Sequence, residues 1–335
     1  MKILLTGATG FLGGRLAELL APAHQLRVLY RSPAQLGTLP AAAEACRGDL
    51  RDPASLDQAV AGCDAVIHAA ALVKILAPAR DFDEINIEGL RHLLAATERS
   101  GTERLIYVSS FMALGPTEDG PGGELDETAP ADERPFINDY ERTKTRADRL
   151  AREAIAAGRR LDVVYPGVIY GPGPLTEGNI IVRHLLDLAH GRLPALLGKK
   201  ERRWNYVFVD DVASGILRLL TGEPGRRYLL AGENVRQEDF YALVARLGKI
   251  RVPSLRMPDL LAKASGLSMK TWAQLFGGTP KLTPDLVEVY RHDWAYSSAK
   301  AGRELGYRPR SLEEGLKTTL DWLRQEGLWP RERRS

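Results

Sequence analysis

Along the first half of the chain, short apolar runs alternate with longer stretches in which apolar residues recur at helical spacing. Residues 2–5, 26–30, 65–68, 104–108 and 161–165 are brief and rich in branched side chains, the composition of strands buried on both faces. Residues 11–20, 53–61 and 82–99 carry the helical periodicity between them. This alternation predicts βαβ units, hence an α/β fold whose parallel sheet is covered by helices on both sides. The pattern loosens after Tyr165. Turn signals follow, Pro166-Gly167 and Gly171-Pro172-Gly173-Pro174, and then helices between long loops. In this half Asp210 and Asp211 are expected to cap a helix over 212–220. Arg227–Leu230 is expected to return as a strand to the main sheet, and Ser311-Leu312-Glu313-Glu314 reads as a capping box for a helix reaching Trp322.

A glycine turn directly after the first strand, at the mouth of the first helix, lets backbone N–H groups approach a pyrophosphate with the positive helix end beneath it. Gly7-Ala8-Thr9-Gly10-Phe11-Leu12-Gly13 occupies that place, with GxxGxxG rather than GxGxxG spacing. The fold expected is therefore a Rossmann-type doubly wound parallel sheet with a smaller, interleaved C-terminal part. Residues 1–165 and 204–231 are assigned to dinucleotide binding, 166–203 and 232–328 to substrate binding, and 329–335 to a tail. A carboxylate ending the second strand holds a ribose 2′-OH, whereas arginine accommodates a 2′-phosphate. Here Tyr30-Arg31-Ser32 stands in that place, so NADP(H) is expected over NAD(H), with Arg31 clamping the phosphate and Ser32 donating to it. The alternative is a solvated loop arginine.

The bulk properties narrow the classes further. At 335 residues the chain exceeds one ordinary core, and its 44% hydrophobic and 27% charged content is that of a soluble globular protein. A net charge of +3 gives no reason to propose nucleic acid or a membrane as partner. Cys46 and Cys63 fit no zinc or redox spacing and are read as reduced and structural, with no metal expected. The first apolar run is too short for a signal segment, and no stretch reaches the roughly 20 apolar residues of a membrane span. A cytoplasmic protein with a small-molecule substrate is expected, and the run Arg331-Glu332-Arg333-Arg334 reads as a solvated end.

Tyr140 and Lys144 lie one helical turn apart, so both can face one substrate and cofactor. A neighbouring ammonium favours the phenolate and is expected to lower the tyrosine pKa from about 10 toward neutrality. Ser110 follows the 104–108 run and Ser109, which puts its hydroxyl at the carboxyl edge of the sheet where ligands bind. The order of glycine loop, Ser-Ser after a late strand and YxxxK on the next helix resembles the extended short-chain dehydrogenase/reductase family. The resemblance runs over most of the chain. It includes Gly48-Asp49-Leu50, His68-Ala69-Ala70-Ala71, Asn86-Ile87-Glu88-Gly89, Pro166-Gly167-Val168-Ile169-Tyr170-Gly171-Pro172, Val209-Asp210-Asp211-Val212-Ala213 and Glu304-Leu305-Gly306-Tyr307-Arg308-Pro309. The wording of residues 108–115 and 296–300 looks most like the dihydroflavonol reductase and 3β-hydroxysteroid dehydrogenase branch.

That resemblance implies Asp49 and Leu50 around the adenine, Ala69, Ala70 and Ala71 along the cofactor, and Lys144 on the nicotinamide ribose. Pro166 and Val168 would lie beside the carboxamide. A homodimer is likewise implied. Tyr165 stands where many relatives carry arginine, which weakens any carry-over of substrate contacts from nucleotide-sugar enzymes.

The activity expected is reversible hydride transfer between nicotinamide and a carbonyl or secondary alcohol. Tyr140 would move the proton, Lys144 position and tune, and Ser110 bond the reacting oxygen. Two rivals stand beside it. One is a nucleotide-sugar epimerase or dehydratase that retains NAD, for which Lys199-Lys200-Glu201-Arg202-Arg203 is a candidate diphosphate contact or a solvated loop. The other is a non-catalytic NADP-binding sensor or scaffold. His68 is expected to be a packed, hydrogen-bonded strand residue, His184, His190 and His292 show no metal spacing, and Asn86 is expected to steady backbone. Met112, Tyr170 and Trp204 are candidates for lining the substrate pocket, with the core as the alternative for each.

Overall fold

A computed structural model of the chain describes residues 1–74, 76–118, 123–129 and 135–330, without the side chains of 35, 36 and 38. In chain order the strands are β1 (Lys2–Thr6), β2 (Gln25–Tyr30), β3 (Glu44–Arg47), β4 (Ala65–His68), β5 (Arg104–Val108), β6 (Leu161–Pro166), β7 (Val168–Tyr170), β8 (Arg203–Phe208), β9 (Arg227–Leu230) and β10 (Glu233–Arg236). The helices are α1 (Phe11–Leu20), α2 (Pro53–Val60), α3 (Ala79–Phe82), α4 (Gly89–Ser100), α5 (Asp139–Ala156), α6 (Ile180–Ala189), α7 (Val209–Arg218), α8 (Gln237–Gly248), α9 (Asp259–Phe276), α10 (Pro284–Tyr290), α11 (Ala299–Leu305) and α12 (Leu312–Gln325).

Seven strands form one sheet in the order β3-β2-β1-β4-β5-β6-β9, each pair parallel. The strand order reverses between β1 and β4, and the crevice beyond their carboxyl ends is where an open α/β sheet receives its ligand. Ile3, Leu4, Leu5, Val66, Ile67, Val163 and Val164 are fully buried, because helices cover both faces of the sheet. β9 joins this sheet beside β6 as expected. A second sheet, β10-β8-β7, pairs β7 parallel and β10 antiparallel with β8.

The structure corrects several expectations. Residues 204–208, assigned to the dinucleotide part, lie in the second sheet, because β8 pairs with β7 and β10. Asp210 and Asp211 do not cap a helix: α7 starts at Val209 with Phe208 as its cap residue and no side-chain capping bond. Their carboxylates are taken by arginines instead. Arg15 on α1 reaches Asp210 at 2.6 Å, and Arg310 holds Asp211 through two bonds of 2.9 and 3.1 Å while lying 4.0 Å over the Phe208 ring. The helix expected over 82–99 is a continuous helical run, but Asp83–Glu88 takes the wider π-helical turn between α3 and α4. The capping box at Ser311 and Glu314 forms, and α12 continues to Gln325. Of the expected tail, Trp329 is buried with its indole donating to the Gly248 carbonyl at 3.1 Å, so apolar burial holds it on the core. The run 331–334 lies outside the described residues.

Candidate active site

The glycine turn is built by steric necessity. Gly7 has φ +80, and a Cβ there would meet Ala70 N at 2.6 Å; a Cβ on Gly13 would meet Gly7 O at 2.0 Å. Any side chain would therefore push α1 away from β1 and from the chain leaving β4. Gly10 stands at the α1 N-terminus, whose amides receive no side-chain cap. Gly7, Thr9, Gly10, Phe11, Leu12 and Gly13 all line one cleft of about 910 Å³. A backbone cradle that a Cβ would fill, at an uncapped helix start beside a sheet switch point, fits a dinucleotide pyrophosphate.

β4 delivers the floor of this cleft. His68 Nδ1 lies 2.8 Å from Thr6 Oγ1, and its ring stacks on Tyr107 at 5.6 Å. Burial, aided by the Lys144 charge, pushes His68 down to about 3, so it is neutral and structural as expected. The chain then turns at Ala69, Ala70 and Ala71. Ala69 and Ala71 line the cleft, while the Ala70 amide donates to Thr6 Oγ1 at 3.3 Å. Asn86, in the π-helical turn, holds this segment: its amide bonds Leu72 N at 2.8 Å, Leu72 O at 3.2 Å and Thr143 Oγ1 on α5 at 3.1 Å.

Three candidate side chains, Ser110, Tyr140 and Lys144, come together in the cleft. Ser110 leaves β5 and caps the turn at Phe111–Ala113, its hydroxyl accepting from Met112 N at 3.2 Å. α5 begins at Asp139, one residue before Tyr140, and is capped by Asn138, whose side chain accepts from Glu141 N at 2.8 Å. That start aims Tyr140 and Lys144 into the cleft, where Ser110 also stands. Lys144 Nζ donates to Val108 O at 3.0 Å and Tyr107 OH at 3.5 Å, and sits 6.0 Å from the Tyr140 ring centre. Burial lowers Lys144 from 10.5 to about 7. The expected lowering of Tyr140 is corrected: burial raises it, and its hydrogen bond with Ser110 offsets only part. Desolvation outweighs an ammonium at this separation, because that ammonium is itself costly to keep charged.

Pro166, Val168, Met112 and Trp204 line the same cleft. Trp204 packs 4.5 Å from Tyr290, and its indole N–H meets no acceptor among the described residues. Tyr170 is corrected to core: it is buried against Phe208 with its hydroxyl directed at Leu312 O, so it cannot face the cleft. Arg31, Ser32, Asp49 and Leu50 lie outside the cleft lining, at the carboxyl ends of β2 and β3. Gly48 N bonds Tyr30 O at 3.0 Å and draws these two stretches together, while Leu50 is buried and Arg31 and Ser32 are exposed.

Sequence reasoning missed the far wall of the cleft. Lys270 and Gln274 come from α9, and Asp285, Leu286 and Val289 from α10. No motif marks them, since they are brought there only by tertiary packing. The run 199–203 is engaged within the chain: Lys200 approaches Glu238, Arg202 approaches Glu118 and Asp293, and Arg203 donates to Gly123 O at 2.7 Å. Among the described residues no group of His, Cys, Asp and Glu side chains is arranged to hold a metal.

Known proteins resemble the chain over most of its length. Residues 3–231 match the model of the NAD dependent epimerase/dehydratase family. The chain is 30% identical to sterol demethylase protein B of Methylococcus capsulatus, over 98% of this chain and 100% of that one. It is also 30% identical to a 3 beta-hydroxysteroid dehydrogenase/Delta 5-->4-isomerase of Mycobacterium tuberculosis, over 92% and 86% respectively. The crystal structure of gox2253 superposes with a TM-score of 0.81 at 32% identity, covering 98% of this chain and 99% of that one. The chain belongs to the NAD dependent epimerase/dehydratase family and is an NAD(P)-dependent oxidoreductase of the extended short-chain dehydrogenase/reductase type.

Proposed function

We propose that the chain performs net, reversible hydride transfer with exchangeable NADP(H) on a carbonyl or secondary alcohol of an apolar, uncharged small molecule. The observation that carries this reading is the convergence of Ser110, Tyr140 and Lys144 with the glycine turn in one cleft, in which the described lining contains no arginine. A nucleotide-sugar diphosphate calls for several cations. Lys270 approaches Asp285 at 3.9 Å, and Lys200, Arg202 and Arg203 are engaged elsewhere in the chain.

A bound nicotinamide supplies or accepts the hydride. The protein's residues do the remaining work. Tyr140 donates its proton to the carbonyl oxygen in reduction and accepts the alcohol proton in oxidation. Ser110 bonds the same oxygen and so orients the carbonyl against Tyr140. Lys144, lowered by burial to about 7, keeps only part of its charge near neutrality; in its ammonium form it favours the phenolate against the burial that raises Tyr140, and it would hold the ribose hydroxyls. Arg31 and Ser32, in place of an acid after β2, support the 2′-phosphate of NADP. A cytoplasmic site of action and a homodimer belong to the same reading.

The test is NADPH oxidation against a panel of apolar ketones and aldehydes, with parallel titrations of NADP(H) and NAD(H). Tyr140→Phe should lower turnover by about two to four orders of magnitude and leave cofactor affinity nearly unchanged. Retained turnover in Tyr140→Phe removes Tyr140 from the mechanism, and tighter binding of NAD(H) removes the NADP assignment. Stoichiometric NAD held through purification assigns the chain to the epimerase type instead, and clear cofactor binding without turnover on any carbonyl assigns it to a sensor.

A further inference from the structure

Lys144 is a buried cation without a counter-ion. Among the described residues no carboxylate pairs with it, and its hydrogen-bond partners are two neutral oxygens of β5, Val108 O at 3.0 Å and Tyr107 OH at 3.5 Å. A charge in a protein interior costs several kcal/mol unless dipoles within reach replace the lost water. Tyr107 supplies one of the two, and its ring centre, 5.0 Å from Nζ, adds the attraction of an aromatic ring for a cation. The phenol is itself held still: it is buried, and its ring stacks on His68 of β4 at 5.6 Å with the planes 25° apart. Burial raises its hydroxyl far above the usual tyrosine range, so it stays a neutral acceptor.

We propose that Tyr107 is a positioning residue for the Tyr140–Lys144 pair: its buried hydroxyl keeps the Lys144 head group charged and turned toward the cleft. An ammonium has three N–H groups. Val108 O and Tyr107 OH take two, which leaves the third for the cleft that Lys144 lines. The carbonyl alone would leave the head group free to rotate about its bond to the side chain. A second acceptor on the same strand fixes that rotation, and it stabilises the charged form more than the neutral amine. Tyr107 does not line the cleft, so it acts through Lys144 rather than on a ligand.

The other titratable groups around the pair do not replace it. His68 is neutral, Tyr140 is raised by burial, and Asp148 on α5 has Arg152 at 2.6 Å and the Tyr165 hydroxyl of β6 as its partners. The catalytic part of the inference rests on the assignment of Tyr140 and Lys144 to hydride-transfer chemistry; the hold of Tyr107 on Lys144 does not.

Tyr107→Phe deletes one oxygen and keeps the ring on His68, so a cooperative thermal melt is expected. In NADPH-dependent ketone reduction, kcat/KM of the wild type should fall as pH rises, because Lys144 loses its proton before Tyr140 does. In the variant that fall should begin about one pH unit lower, the equivalent of one hydrogen bond to a charged group. At pH values below both transitions the variant should regain the wild-type kcat/KM, which a distorted site would not do. Tyr165→Phe, which removes a buried hydroxyl serving Asp148, should leave the transition in place. A second arm needs neither cofactor nor turnover. Urea unfolding of the cofactor-free wild type should show stability rising with pH from about 7, since the folded chain releases the Lys144 proton there and the unfolded chain holds it to 10.5. In Tyr107→Phe the rise should begin about one unit lower, and in a Lys144→Met background Tyr107→Phe should add no such dependence. A shifted stability curve without turnover of any carbonyl supports the hold on Lys144 and removes the hydride-transfer reading. Four results overturn the assignment: pH curves that coincide in Tyr107→Phe and wild type, a loss of kcat/KM by the same factor at every pH, an equal displacement by Tyr165→Phe, or a Tyr107→Phe chain without a cooperative melt.

Discussion

Lys144→Met should change the pH dependence of stability more than stability itself. In the cofactor-free protein Lys144 is buried and shifted from 10.5 to about 7, so between those values the unfolded chain binds a proton that the folded chain does not. Stability must then rise with pH across that window, and the full cost of the buried ammonium is present below it. Between about pH 6 and about pH 9 this lysine should alter the unfolding free energy by roughly 2–3 kcal/mol. Methionine removes that dependence. It also leaves Val108 O and Tyr107 OH without their donor, a penalty of roughly 1–3 kcal/mol that hardly varies with pH. The two effects separate cleanly, because the hydrogen-bond loss displaces the curve and the titration tilts it. Urea unfolding of wild type and variant at a series of pH values gives the difference directly. It should grow steadily in favour of wild type as pH rises. Parallel curves, with less than about 0.5 kcal/mol of divergence over the window, would refute the burial argument and with it the account of why Tyr140 is raised.

The remaining predictions bear on the supports of the site. Gly13→Ala should abolish cofactor binding in a direct titration and cost about 1–3 kcal/mol, since its Cβ would sit 2.0 Å from Gly7 O. Full cofactor affinity would show that α1 can shift without consequence. His68 has a folded pKa of about 3 against 6.5, so its contribution is complete above 6.5 and lost as pH falls toward 3. His68→Gln should accordingly reduce the acid loss of stability between about pH 7.5 and about pH 5 by about 2 kcal/mol, read from denaturant midpoints. Asn86→Ala strands Leu72 N and Leu72 O and takes one donor from Thr143 Oγ1, which keeps its bond to Asp139 O; it should destabilise by roughly 2–4 kcal/mol while raising the KM for cofactor, and an unchanged KM would detach Asn86 from the cleft.

Much of this was legible because parallel strands buried on both faces leave a plain mark. The runs at 65–68 and 104–108 coincide with β4 and β5 in the structure. β3 left no such mark: Glu44-Ala45-Cys46-Arg47 is an edge strand, largely solvated, and its sequence need not be apolar. The π-helical turn was invisible for a different reason, since a change of hydrogen-bond register alters side-chain direction without altering composition. Ser110, Tyr140 and Lys144 were found from spacing and order, but the sign of the tyrosine shift was not, because a neighbour's charge can be read from sequence and its desolvation cannot. The cleft wall from α9 and α10 belongs to the same class, as it exists only once the chain has folded back.

The join between β8 and α7 limits how this protein can be recombined. β8 ends at Phe208 and α7 begins at Val209, so a strand of the small sheet runs without a linker into a helix whose Asp210 is gripped by Arg15 of the glycine-turn helix. From the carboxyl end, Arg310 fastens the same junction at Asp211. A chimera that transplants the substrate-facing portion as one cassette must cut through this knot and leave Arg15, Asp211 or Arg310 facing a stranger. Specificity in such an architecture is exchanged through cleft-wall residues such as those of α9 and α10, one side chain at a time, while the junction stays intact.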